Sequence, residues 1–173
     1  MTDELLASYC ALSNQLGVDA PTGDVDFEAE SMTPKLWFEH VAKERDMGRT
    51  RLTTVAIDPT GDVVAYTDLI LPPAPNPDVW QWGTLVHKGH RGHRLGMAVK
   101  VRNLEQLATA SSDRTRVLTC NAETNGYMVD INVRLGFEAI EVAPMFELRI
   151  DTAVGRPTGE RTEQGPQVSA ATT

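Results

Sequence analysis

Cysteine is nearly absent from this chain of 173 residues: there are two, Cys10 and Cys120, and no Cys-x-x-Cys spacing. That excludes a disulfide scaffold and a cysteine-built zinc framework. Aromatic residues are scarce at 6%, and positive charge is outnumbered, with 16 Lys and Arg against 24 Asp and Glu. A net charge of -8 argues against a DNA- or RNA-binding role, because phosphate backbones need a broad basic face. No segment approaches the roughly 20 consecutive apolar residues that span a bilayer. The opening MTDELLASYC also lacks the basic start of a secretory signal. A cytoplasmic protein without nucleic-acid or membrane partners is expected. The remaining composition, 41% hydrophobic and 23% charged, suits one soluble domain with a sizeable core.

Apolar spacing organises the chain. Leu5, Leu6, Tyr9, Cys10, Leu12 and Leu16 predict a helix over 3–16, stopped by Gly17. Residues 17–31 read as an acidic, turn-rich loop. A second helix starts at Thr33 as N-cap with Pro34 in the first turn, and Gly48 ends it. Its shared face is read as Leu36, Trp37, His40, Val41 and Arg45. RLTTVAID and VVAYTDLIL flank the turn PTGD and predict a β-hairpin. A proline-rich loop leads to a third strand, VWQWGTLV, at 79–86. Beyond a glycine-rich loop, Met97, Ala98, Val101, Leu104 and Leu107 mark a helix. A strand at 116–122, a helix over 124–136 and one or two strands split at Pro144 follow. Residues 151–173 contain no aromatic residue and are expected to be a disordered tail. The fold class is α+β.

Positive charge, scarce elsewhere, gathers at 87–100, HKGHRGHRLGMAVK. His87, His90 and His93 suggest a metal, but three-residue intervals in a loop do not converge imidazoles, and the interleaved Lys88, Arg91 and Arg94 repel a cation. No metal is expected. Glycines before a helix expose unpaired N–H groups at the positive end of the helix dipole, a receptor for phosphate. The GxxxxGK[ST] pattern of nucleotide hydrolases is missing, and glycines at 89, 92 and 96 do not form GxGxxG.

The stretch VHKGHRGHRLGMA, from Val86, resembles the acetyl-CoA loop of the GNAT superfamily of N-acetyltransferases: a valine ending the family's fourth strand, four residues, [Q/R]-x-x-G-x-[G/A], then a helix. Arg91, Leu95 and Gly96 fall in register, while Arg94 stands where the motif has its middle glycine. Asn125 at the start of the next helix and Leu135, Gly136 and Phe137 at its end extend the likeness over about residues 51–150. The resemblance implies a mixed, mainly antiparallel sheet flanked by helices, with a V-shaped splay between the family's strands four and five, here 79–86 and 116–122. One GNAT-like domain over 1–150 is expected. The family usually begins with a strand and this chain with a helix: either the first strand is missing, or the chain is similar to the C-terminal half of tandem, actinobacterial-type members and once packed beside another domain. The bared sheet edge would invite a second copy or a partner GNAT domain.

The function implied is transfer of an acetyl group from acetyl-CoA to a primary amine of a small molecule or peptide by direct attack. A non-catalytic acyl-CoA-binding or regulatory domain is the alternative. The implied cofactor contacts are Leu85 and Val86 for the pantetheine arm, Arg91, Gly92, His93, Arg94, Leu95, Gly96 and Met97 for the pyrophosphate, and Asn125. Asp68, His87 and Glu123 are the candidates for the base. The tyrosine that many members place five residues before the Phe of LGF is Asn132 here, which cannot supply a proton; water and Tyr127 are the alternatives. Trp80 and Trp82 are read as core or cleft wall, and Cys120 as a buried small hydrophobe.

Overall fold

A computed structural model describes residues 1–19 and 31–142. Met1–Ala139 form one compact unit and Ile140–Thr173 a second, of which residues 140–142 are described. The expected acidic loop beyond residue 19, the strands around Pro144 and the tail at 151–173 lie outside the described residues.

Helices α1 (Asp3–Asp19) and α2 (Pro34–Asp46) precede strands β1 (Thr50–Ile57), β2 (Val63–Leu71) and β3 (Asp78–Val86). A short 3-10 turn at Lys88–His90, helix α3 (Leu95–Ala110), strand β4 (Arg116–Leu118) and helix α4 (Gly126–Arg134) complete the described order. The sheet order is β1-β2-β3-β4, antiparallel except for the β3–β4 pair. The expected α+β architecture, a mainly antiparallel sheet with helices on it, is what forms.

Local chemistry explains the boundaries. Thr33 Oγ1 accepts from the Leu36 N–H at 3.2 Å, Pro34 needs no donor partner in the first turn, and Gly48 turns the chain out of α2 at φ +70°. In the hairpin, the Asp58 carboxylate accepts from the N–H groups of Thr60 and Asp62 at 2.9 and 3.0 Å, an Asx turn that reverses β1 into β2.

The two faces of the sheet bury different partners. Leu6, Tyr9, Cys10 and Leu12 of α1 pack on Val63, Tyr66 and Leu85. On the other face Leu107 of α3 packs on Leu52, Leu69, Leu71 and Val79. Each such side chain contributes about 1.5–3 kcal/mol when fully buried, so α1 and α3 are clamped to the sheet. Helix α2 has no fully buried residue. Leu36, Trp37, His40 and Val41 are half-buried as expected, but Glu44 takes the inner position instead of Arg45, because the Arg51 guanidinium holds its carboxylate.

Two further expectations change. The inner face of α3 is Gly96, Val99, Lys100, Asn103 and Leu107, turned from the Met97–Ala98–Val101 stripe. Asn103 drives this: its Nδ2 donates to the carbonyls of Leu52 and Thr67 at 3.1 and 3.3 Å, docking the helix through a polar residue. The strand expected at 116–122 stops at Leu118, because its ladder with β3 has only three pairs, ending at Trp80–Leu118.

Candidate functional site

Beyond that last pair, β3 continues to Val86 without a parallel neighbour among the described residues. A cavity of about 540 Å³ opens there, lined by Trp80 to Thr84 of β3, Lys100 of α3, residues 119–122, and Asn125 and Met128 of α4. Its volume lies within the range of small-molecule sites.

A β-bulge shapes the β3 wall. Thr67 pairs with Thr84 and Leu69 with Gln81, so Asp68 alone faces both Trp82 and Gly83, the signature of a bulge. The Asp68 carbonyl is picked up by Gln81 Nε2 at 2.8 Å, which also donates to Thr67 Oγ1 at 2.9 Å. Gly83 sits in a tight place: a Cβ there would stand 3.0 Å from Leu16 Cδ2 and 3.1 Å from Tyr66 Oη, so both side chains would have to give way. Trp80 and Trp82 are exposed on the cavity wall, which makes them cleft wall, not core.

Next to this gap, α3 begins without a cap. Thr33 caps α2 and Asn125 caps α4, whose Met128 N–H it receives at 3.3 Å. Arg94, at the α3 N-cap, makes no side-chain cap hydrogen bond, and its backbone is left-handed at φ 59°. The first intrahelical bond is from Ala98 N–H to the Arg94 carbonyl, so the N–H groups of Leu95, Gly96 and Met97 have no helical acceptor. No acidic side chain occupies that first turn. Gly96 lets the helix sit close: a Cβ would lie 3.3 Å from Ile131 Cδ1 and 3.5 Å from Val86 Cγ2. Gly92 is also left-handed, at φ +83°. Arg91 Nε donates to the Val86 carbonyl at 3.2 Å, tying the loop to the end of β3. Leu85 is buried toward α1, and His93 rests its Nδ1 against the His90 carbonyl at 3.2 Å. The donor set, an open helix N-terminus with Arg91 and Arg94 beside it, fits a pyrophosphate. Among the described residues no group of three or more His, Cys, Asp or Glu is placed to hold a metal ion.

The three base candidates stand apart. Asp68 is buried on the α1 side, where it accepts from Tyr9 Oη at 2.8 Å and from Thr53 Oγ1 and pairs with Arg51 Nη1 at 3.1 Å. Burial pushes its carboxyl up while the Arg51 guanidinium opposes; burial and then Asp68 push the Tyr9 phenol up. This cluster ties α1 to the hairpin and does not line the cavity. Glu123 is exposed and also off its wall. The His87 Nδ1 accepts from the Gly89 N–H at 3.3 Å, and its ring lines a second, smaller cavity with His90, Asp58 and Asp62. Cys120, expected to be buried, is exposed on the main cavity wall, because β4 ends two residues before it. Tyr127 is exposed too.

One wall residue escaped the sequence analysis. Lys100 is only 1% exposed, and its Nζ donates to Asn132 Oδ1 at 2.9 Å. The Phe137 ring centroid is 5.5 Å from Nζ. Burial pushes this ammonium down to about 8 from its ordinary 10.5. The signal lay in spacing: Lys100 is one helical turn from Gly96 and from Asn103, on the face the loop motif fixes against the sheet.

No protein-family model matches the chain, and no curated protein does. Solved structures do. An acetyltransferase from Trypanosoma brucei is 21% identical over 86% of this chain and 96% of its own, with a TM-score of 0.62. A tandem GNAT protein from the clavulanic acid biosynthesis pathway is 30% identical over 80% of this chain, with a TM-score of 0.58, and the match spans 39% of that longer protein. A Salmonella typhimurium protein solved with its cofactor acetyl-CoA is 14% identical over 79% of this chain and 76% of its own, with a TM-score of 0.60. By element order, sheet topology and these likenesses, this chain has the fold of the GNAT acetyltransferases.

Proposed function

We propose that the protein transfers an acetyl group from acetyl-CoA to a primary amine of a small molecule or peptide. The observation that carries this is the uncapped N-terminus of α3 opening beside the gap where β3 loses β4. Acetyl-CoA supplies an activated thioester; the chain supplies position. Leu95, Gly96 and Met97 offer backbone N–H groups to the pyrophosphate, and Arg91 and Arg94 add charge. Val86 offers the end of β3 to the pantetheine arm, and Asn125 holds α4 at the cavity rim.

The acceptor amine must reach the thioester from the side where Trp80 and Trp82 are exposed. Two indole faces suit an amine carried on an apolar or aromatic body, and a net charge of -8 favours the approach of a cation. Positioning alone supports a large share of the rate in such transfers. With Asp68 committed to Arg51 and Glu123 off the cavity wall, the proton lost by the amine passes to solvent water at the open cleft. The test is release of free CoA thiol from acetyl-CoA with a panel of primary amines. Amine-stimulated release supports the proposal, and binding of acetyl-CoA with no release against the whole panel counts against it.

A further inference from the structure

Lys100 is a buried cation without a counter-charge among the described residues. Among the described residues no carboxylate lies within ion-pair distance of its Nζ. Its hydrogen bond goes to a neutral amide, Asn132 Oδ1, at 2.9 Å. Asn132 is itself oriented, since its Nδ2 donates to Asn121 Oδ1 at 3.2 Å, which turns the amide oxygen toward the lysine. An ammonium has three donors, so this arrangement leaves two for whatever enters the cavity whose wall Lys100 forms. Holding a charge in so dry a place is costly, and such groups concentrate where an anion has to be met.

Few side chains on this wall titrate. Cys120 is the one other titratable side chain lining the cavity among the described residues, and it is exposed. Helix α4 faces the lysine with Asn132; its Asp130 is outside, paired with Arg134 at 2.9 Å. From β3 come Gln81 and Thr84, which do not titrate. The Asp68 carboxylate is on the opposite face of the sheet, held by Tyr9 and Arg51.

We propose that Lys100, positioned by Asn132, gives the departing CoA sulfur its proton. This rests on the acetyl-transfer reading above. The acceptor nitrogen attacks the acetyl carbonyl carbon, the C–N bond forms and the C–S bond breaks. The electron pair of that bond stays on sulfur, and Lys100 Nζ–H delivers a proton to it. The acceptor nitrogen loses one proton to solvent, and Lys100 regains one from solvent, so CoA thiol and amide are the products. A lysine pushed down to about 8 by burial is protonated at neutral pH yet gives up its proton more readily than an exposed one.

The first arm of the test needs no acceptor. The full chain is saturated with CoA and the bound thiol is titrated by its ultraviolet thiolate absorbance, in the unaltered protein and in Lys100→Met, Lys100→Gln and Lys100→Arg. An ammonium beside the sulfur holds the bound thiol below its value in free CoA. Both neutral variants should raise it by about one pH unit or more, and Lys100→Arg should keep it low. Because Arg cannot release a proton, Lys100→Arg should also lose at least about tenfold in turnover with any accepted amine. Calorimetry keeps two failures apart. If the unaltered chain does not bind CoA, the acetyl-transfer reading fails and this inference with it. If CoA binds and its thiol titrates alike in the unaltered chain and both neutral variants, the role of Lys100 is overturned while acetyl transfer stands.

Discussion

Burying Lys100 should leave a measurable mark on stability, because its proton affinity differs between the folded and unfolded chain. The drop from 10.5 to about 8, at 1.36 kcal/mol per pH unit, amounts to about 3 kcal/mol held against the fold at neutral pH. The folded-state value is the lower one, so the unfolded chain binds the proton more tightly between these limits. Stability therefore rises with pH across that window, and the penalty is fully present below about 8. Lys100→Met removes the titration while keeping an unbranched side chain of similar length. It also leaves Asn132 Oδ1 without a donor, at a cost of about 1–3 kcal/mol that does not depend on pH. Urea unfolding of both proteins at matched pH values isolates the lysine, since every other titrating group cancels in the difference. The unaltered chain should gain on the variant by up to about 3 kcal/mol as pH is raised through the window. Parallel stability curves for the two proteins would refute the argument.

Other substitutions probe the remaining parts. Asp68→Ala should cost about 1–3 kcal/mol in urea unfolding, since it removes the acceptor of Tyr9 and Thr53 and one of the two carboxylates on the Arg51 guanidinium, which keeps Glu44; no measurable loss would contradict a stabilising cluster. Gly83→Ala places a methyl 3.0 Å from Leu16 Cδ2 and should lower stability by about 1–3 kcal/mol, an effect that thermal unfolding reads directly. Arg94→Gly relieves a left-handed backbone at φ 59° worth about 1–2 kcal/mol and deletes a charge. The melting temperature should hold or rise while acetyl-CoA affinity falls and its salt dependence weakens; a lower melting temperature would count against the strain.

Much of the frame was legible in the sequence because its signals are local. Thr33 and Pro34 at the start of α2, Pro59 to Asp62 in the hairpin and the glycines around the start of α3 each work through their own backbone neighbours. The apolar stripe of α1 was readable because one side of that helix meets a core of ordinary side chains. The inner face of α3 was not, since Asn103 and Lys100 are buried there by bonds to Leu52, Thr67 and Asn132, partners remote in sequence. Asn132, an amide where the resemblance puts a phenol, pointed only to water or Tyr127 as the proton source and gave no sign of Lys100. The short β4 was equally hidden, because Arg116 to Ala122 keeps strand-like composition after its ladder with β3 has ended. Asp68 drew attention as a carboxylate on a strand near the loop, and only the sheet face decides that it points to Tyr9.

The central claim is that the open end of α3 receives acetyl-CoA. It is tested most directly by calorimetric titration of the full chain with acetyl-CoA, beside a Gly96→Leu variant. Gly96 has Ile131 and Val86 within 3.3 and 3.5 Å of where a Cβ would sit, so a leucine must shift the helix end and its N–H groups. One acetyl-CoA per chain at micromolar affinity, lost at least tenfold in a still-folded Gly96→Leu protein, is the expected result. Absence of binding in the unaltered chain, or equal affinity in a folded variant, would contradict it.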